Sequence, residues 1–484
     1  MNRTEMILAR LEDLVRGGQI PGARRTLLRF RPTRPTELAR LRMAKIARRV
    51  GLIYFGLRTL HGAVFLTRSK SELRPSILTE YATLLSLNGN LNEALTLLEE
   101  VDTETCPDAL LARSWCLFER WEYREATPLL EEYIRRQRDP YFRLAGQVNK
   151  AEVLFATGEI DQCLFLAGAC CKEALACGFL RLRANALLIY AQACSELGQW
   201  RKAKSSLNEA LKIFGNSGTT DSILIHRQIA INEALETKNQ QPLLRFRDVA
   251  LKARAWESLR EIEFQSLRVA FKQRTFDRLW YGTPYPGFRK RLEQTFSVKP
   301  SPLFTWGASG ENYLSLQTGK VFGIPRQPSV SGQNLILINF LLRDFYNPPG
   351  VGQIFACLYQ KEKFDIFSAP DRIHQALKRL RRYFEMHDLP LQLVADRGTY
   401  QVKATEKFAI HIKIDDRISE KTLSPIDLLT SKFGKSNAFT TSEVSKALRI
   451  SKATANRLLN SDQSRKLIER LGNGRRSRYR ILPV

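Results

Sequence analysis

Residues 81–101 read YATLLSLNGNLNEALTLLEEV. A small residue, Ala82, is followed seven positions later by a turn residue, Gly89, and five later by a second small residue, Ala94. The same spacing recurs at Ala151, Gly158 and Cys163, and again at Ala191, Gly198 and Ala203. Ser114, Trp121 and Ala126 repeat it with tryptophan where glycine is expected. Two antiparallel helices approach closely only where their facing side chains are small, and glycine supplies the unusual backbone angle of the turn between them. The stretches that follow the turns, EALTLLEEV at 93–101 and KAKSSLNEALKIF at 202–214, carry helical periodicity.

This pattern resembles the tetratricopeptide repeat, over four units spanning about 78–215. Gly18 and Ala23 give the clearest hint of the pattern near the start. The turn-to-turn distance drifts from 32 residues (Gly89 to Trp121) to 40 (Gly158 to Gly198), against the usual 34, which implies an irregular superhelix. A repeat array over 1–280 offers a binding surface without chemistry of its own. A protein or peptide partner, a small effector and a second copy of the chain are all candidate occupants, as is a plain dimerisation scaffold.

The texture changes after residue 280. Residues 281–311, rich in Pro, Gly and aromatics, read as a connector. Short strand-like pieces follow: NYLSL at 312–316, KVFGI at 320–324 and PSVSG at 328–332. Next come an apolar helix (NLILINFLLRDFYN, 334–347), a short helix (VGQIFACLYQ, 351–360) and a long basic amphipathic helix over 371–388. In the last of these Ile373, Leu377, Leu380 and Phe384 recur at helical spacing and face the core, leaving the arginines and lysines on other faces. LPLQLVADRGTYQV at 389–402 alternates like a hairpin turning at Arg397 and Gly398. RIHQALKRLRRYFE (372–385) followed by LVADRGTYQV (393–402) resembles the final helix and wing of the OmpR-type winged helix of bacterial response regulators. The likeness covers 312–403. It implies double-stranded DNA contacts from Arg372, Gln375, Lys378, Arg379 and Arg382 on the helix and from Arg397 on the wing. The chain lacks that family's receiver domain, so phosphorylation-driven switching is not implied.

After a second connector at 404–423, residues 424–484 read as helix (SPIDLLTSKFG), helix (FTTSEVSKALRI), turn and helix (SKATANRLLNS), then two strands around a Gly-Asn-Gly turn. Thr440 and Glu443 stand at capping-box spacing, and Ser451 is a good N-cap. SEVSKALRISKATANRLL (442–459) resembles the helix-turn-helix signature, with Arg449 where many members place glycine. The start of a recognition helix reaches base edges, which makes Lys452, Thr454, Asn456 and Arg457 candidate DNA contacts. Arg475, Arg476 and Arg478 crowd the wing. The module carries 13 Lys or Arg against 4 Asp or Glu.

Charge points the same way for the whole chain: 76 Lys or Arg against 49 Asp or Glu give a net +27, an excess that favours polyanions. Residues 1–70 hold 16 basic against 4 acidic residues, read as solvated helix face. The first twenty residues show no apolar signal region, and the best apolar run, LILINFLL at 335–342, is too short to span a bilayer. Seven of eight cysteines fall between Cys106 and Cys194 in helix-like segments, which reads as buried thiols in a reducing cytoplasm. Cys170, Cys171 and Cys177 have no CxxC pair or nearby histidine, so neither a metal nor another cofactor is expected. FGKS at 433–436 is not a P-loop, since Leu429 stands where the motif needs glycine, and no other enzyme motif is present.

The expectation is therefore a mainly α protein, with a tetratricopeptide-like helical-repeat array followed by two small α+β winged-helix domains. It is expected to be a cytoplasmic, non-enzymatic transcriptional regulator that binds sequence-specific DNA and takes its input at the repeats. The competing expectation is an interaction scaffold whose winged helices contact protein or structured RNA.

Overall fold

The computed structural model describes residues 3–16, 19–65, 72–214, 220–308, 311–324, 328–360, 362–405, 407–414, 438–448, 452, 455–456, 459, 468–472 and 477–481. Its contacts divide the chain into two compact units. The first comprises residues 1–300, 340–383 and 393–402, and the second 301–339, 384–392 and 403–484.

The first unit begins with helices packed in sequential pairs: α1 Arg3–Arg16 with α2 Ile20–Arg29, α3 Glu37–Arg49 with α4 Ile53–Phe65, and α5 Arg74–Leu87 with α6 Leu91–Glu99. Then come α7 Asp108–Phe118 with α8 Tyr123–Arg136, α9 Pro140–Thr157 with α10 Ile160–Ala176, and α11 Leu180–Glu196 with α12 Trp200–Phe214. The run ends with α13 Thr220–Thr237 beside α14 Gln241–Ala253, and α15 Trp256–Val269 beside α16 Gln273–Tyr281. Every small residue of the four sequence units is fully buried at the helix contact: Ala82, Ala94, Ser114, Ala126, Ala151, Cys163, Ala191 and Ala203. The turn residues Gly89, Gly158 and Gly198 all take positive φ (89°, 87° and 68°). Each closes its helix with paired backbone bonds, as where Glu159 N–H donates to Leu154 O at 2.8 Å and Gly158 N–H to Phe155 O at 3.2 Å. Trp121 adopts the same turn at φ 60° with the same bonds, Glu122 N–H to Leu117 O and Trp121 N–H to Phe118 O.

One further unit, near the start of the chain, has the same geometry. Ala44, Gly51 and Gly56 share the spacing, Gly51 has φ 72°, and a Cβ on Gly56 would lie 2.9 Å from Leu84. Gly18 lies outside the described residues; Ala23 is buried.

The stretch 281–311, read as a connector, carries regular structure. It holds helix α17, Pro286–Phe296, and strand β1, Leu303–Gly307. The Pro-Gly pair that suggested a loop instead starts the helix, with Pro286 at its first position, where a missing N–H costs nothing. From α17 onward, the part of the chain in this unit doubles back along the array. Trp121 packs edge-on against Phe288 of α17 at 4.7 Å between ring centroids. Helix α19, Val351–Leu358, meets the α5–α6 turn: a Cβ on Gly352 would fall 2.1 Å from Asn88 O, and one on Gly89 2.0 Å from Gln353 Cγ. The Asn90 amide donates to Gly352 O at 3.2 Å, and Phe364 N–H to Glu93 Oε2 at 2.8 Å. Phe367 packs edge-on against His61 of α4. At the far end of the array Arg260, fully buried, pairs with Asp344 at 2.6 Å and Glu257 at 2.9 Å, and stacks over Tyr285. Phe345 N–H donates to Gly282 O at 3.0 Å, and Tyr346 bonds Glu263 through its hydroxyl.

In the second unit, β1 joins β2 Tyr313–Ser315, β3 Val321–Phe322 and β6 Ala409–Lys413 in a sheet ordered β1-β6-β2-β3. β6 is inserted antiparallel to β1 (Phe304 opposite Ile412) and parallel to β2 (Leu314 opposite Ile410), burying Ile410 and Ile412. Within 404–423, residues 409–413 supply an interior strand, from an AIHIK alternation only five residues long. Helix α18, Gly332–Leu341, begins in this unit and buries Leu337, Ile338 and Leu341. The C-terminal portion holds α21 Thr441–Leu448 and the antiparallel pair β7 Ile468–Leu471 and β8 Arg478–Ile481. Phe439 bridges to Tyr479 by two backbone bonds, and Phe439, Val444, Ala455, Leu459, Ile468, Tyr479 and Ile481 form one small core. The expected first helix at 424–434 lies outside the described residues.

Candidate nucleic-acid interface

Helix α20, Ala369–Met386, is strongly two-faced. Ile373, Ala376, Leu377, Leu380 and Phe384 are buried, as their spacing requires. Gln375, Lys378, Arg379 and Arg382 are exposed and fall at i, i+3, i+4 and i+7, so they share one face. Arg381, which the sequence reading left out of the contact set, is exposed as well. The helix leads into the hairpin of β4 Leu391–Asp396 and β5 Thr399–Ala404. The two turn residues, Arg397 (φ 45°) and Gly398 (φ 88°), both take positive φ, the geometry that matches strand twist in a two-residue hairpin. Arg397 is exposed at the tip.

Arg372 is engaged by its own chain, in an exposed pair. Its guanidinium forks onto Glu362 at 2.6 and 3.0 Å and lies 3.9 Å from the Tyr359 ring centroid. The pair holds the Glu362 carboxyl below its ordinary value, through the hydrogen bond from Arg372. Arg372 thus ties the start of α20 to the loop before it, and the exposed face begins one turn later, at Gln375.

In the C-terminal module the capping box forms. Glu443 N–H donates to Thr440 Oγ1 at 3.3 Å, and Thr440 N–H to Glu443 Oε2 at 2.7 Å. Lys452 and Asn456 are exposed while Ala455 and Leu459 of the same helix are buried. The Thr441 hydroxyl donates to Asn456 Oδ1 at 2.9 Å, which fixes the orientation of that amide. Arg478 is exposed on β8. Beside it, Arg480 is paired to Glu469 at 2.9 Å, and Arg470 donates to Ser477 at 2.8 and 3.1 Å. Arg470, not named from the sequence, therefore helps hold the β7–β8 hairpin beside its turn. Thr454, Arg457, Arg475 and Arg476 lie outside the described residues.

No protein-family model matches the chain, and no curated protein matches it. Among solved structures, the crystal structure of the apo form of RapI aligns with 58% of this chain and 86% of its own, at 12% identity and a TM-score of 0.36. A likeness of that order carries no functional argument. Among the described residues no helix is long and apolar enough to cross a membrane.

Proposed function

We propose that the chain is a sequence-specific, duplex-DNA-binding transcriptional regulator whose helical repeats take a protein, peptide or second-copy partner. The observation that carries the reading is the face of α20: three cations and a glutamine at helical spacing, exposed opposite a fully buried face and followed by a tight hairpin with an arginine at its tip. A helix of this kind suits the major groove, with the arginines and lysine for guanine or phosphate and the glutamine for adenine. The C-terminal module adds Lys452, Asn456 and Arg478, exposed around a separate small core, and by sequence Thr454, Arg457, Arg475 and Arg476.

The test is selection of genomic fragments with the purified chain, followed by titration of the selected duplex and a scrambled one over a range of salt. Sequence preference that survives at physiological salt is expected. Salt-sensitive, sequence-blind binding would refute the regulator reading and leave a scaffold that contacts structured RNA or acidic protein.

A further inference from the structure

We infer that the turn between α5 and α6 is a coupling joint, through which the state of the repeat array is transmitted to the basic helix α20. The inference rests on the reading of α20 as the DNA-contacting helix for its output, though not for its mechanics.

Three observations converge on that turn. The first is closeness: Gly352 and Gly89 each leave room only for a hydrogen, with Asn88 O 2.1 Å and Gln353 Cγ 2.0 Å from where a Cβ would stand. The second is polarity: Asn90, 2% exposed, donates to Gly352 O, while Gln353 Oε1 accepts from Gly350 N–H at 2.8 Å and so caps α19 at the same place. The third is continuity. Glu93, on the helix that leaves the turn, accepts the N–H of Phe364, and Phe364 is fully buried against Phe355 of α19. From Phe364 the chain runs through buried Ile366 into α20, whose start Arg372 ties back to Glu362 and Tyr359.

The segment leading into α20 is thus held by an array turn as well as by its neighbours in sequence. It is held a second time by Arg260, Glu263 and Gly282 through Asp344, Tyr346 and Phe345. Eight helices, α7 to α14, separate the two attachments along the array. A repeat array bends by small rotations summed over its units. A ligand that favours one curvature changes the relation between the two attachments and so biases the segment between them, which is the differential interaction that coupling requires.

Gly352→Ala is the perturbation. Gly352 lies in α19 with ordinary helical backbone, so alanine suits its own helix and acts as a wedge against the Asn88 carbonyl. Hydrogen exchange on the full chain should rise about tenfold at 88–93 and also across Phe364–Met386, as a local opening of about 1.4 kcal/mol lower cost would give. Glu93→Ala, which removes the acceptor for Phe364 N–H and the attraction to Lys363, should loosen the same region to a smaller degree and serves if the wedge prevents folding. Gly158→Ala strains a turn whose Cβ would meet nothing within 4 Å, and should leave α20 unchanged. Faster exchange confined to 349–358 in the Gly352 variant, or equal loosening of α20 by Gly158→Ala, overturns the joint. Duplex titration of the same proteins separates the two readings. Loosening of α20 in a chain whose wild type ignores duplex DNA supports the joint and sinks only its proposed output.

Discussion

Removing Asp344 tests whether the segment 340–383 belongs to the repeat unit. Arg260 has its side chain 1% exposed, and its two ion-pair partners differ: Asp344 is 11% exposed, whereas Glu257 is 49% exposed. Asp344→Ala leaves a buried guanidinium whose remaining carboxylate, Glu257, is half-exposed and pushed up to about 7 by desolvation, so it is the weaker counter-charge. Breaking a buried pair from one side costs about 3–5 kcal/mol. Arg260 keeps Glu257 and the faces of Tyr285 and Tyr346, at 4.8 and 5.5 Å, so the lower end applies to the pair. The same carboxylate also accepts from Tyr346 N–H and Asn347 N–H at 2.9 and 3.0 Å, and losing that turn adds about 1 kcal/mol. The expected loss is about 4 kcal/mol, read as a lower midpoint in urea by tryptophan fluorescence. At about 2 °C per kcal/mol for a unit of this size, melting should fall by about 8 °C. Arg260→Met with Asp344→Leu removes both charges and should recover most of the loss, because an apolar replacement carries no desolvation penalty. A loss below about 0.5 kcal/mol for Asp344→Ala, as at an exposed pair, would mean that Asp344 does not hold Arg260 in solution, and the return of the chain onto the array would be refuted.

Four further outcomes are expected. Trp121→Gly relieves about 1 kcal/mol of left-handed backbone strain but gives up the half-buried ring against Phe288, so calorimetry should show a net loss of about 1 kcal/mol; a net gain would mean that α17 does not dock on that turn. Alanine at Lys378, Arg379 and Arg382 together should flatten the dependence of log K on log salt by about three, and an unchanged slope removes α20 from the interface. Thr440→Ala should cost about 1 kcal/mol through the lost cap, visible as faster exchange in α21 with none in the repeats. Burial raises the Glu93 carboxyl above its ordinary value, so the folded chain holds a proton there that the unfolded chain has released. This group's contribution is then full at acid pH and declines as pH rises from the ordinary carboxylate range through the raised value, and Glu93→Gln should remove that decline from the difference between the two stability curves.

The array was legible because its signal is local. Each turn needs a positive φ and each close contact a small side chain, and both lie within twelve residues of sequence. Later units escape the pattern: the α13–α14 turn uses Lys238 at φ 51° between buried Ile231 and Leu243, where nothing small marks the contact. Trp121 breaks the glycine rule of the other turns; its purpose lies 167 residues away, at Phe288. The basic face of α20 and the Arg397–Gly398 turn could be read for the same local reason. The engagement of Arg372 by Glu362, and of Asn456 by Thr441, could not, because both partners are ordinary polar residues without periodicity. The strand β6 and the docking of Gly352 on Asn88 are long-range pairings written in one or two residues each.

The return of the chain onto its own repeats has a consequence for how this protein can vary. In an open repeat array each unit touches only its neighbours, so a unit can be duplicated or lost at any internal junction. Here the residues around Arg260 and those around Asn88 are joined twice, once through α7 to α14 and once through the short path from Asp344 to Gly352. One more helix pair in the long path would add packed helices at about 8–10 Å each, while the eight peptide units of the short path would not lengthen to match. The number of repeats between these attachments is therefore fixed by a span outside the repeats. Natural variation in this stretch should show substitutions and turn insertions but conserve the count of helices.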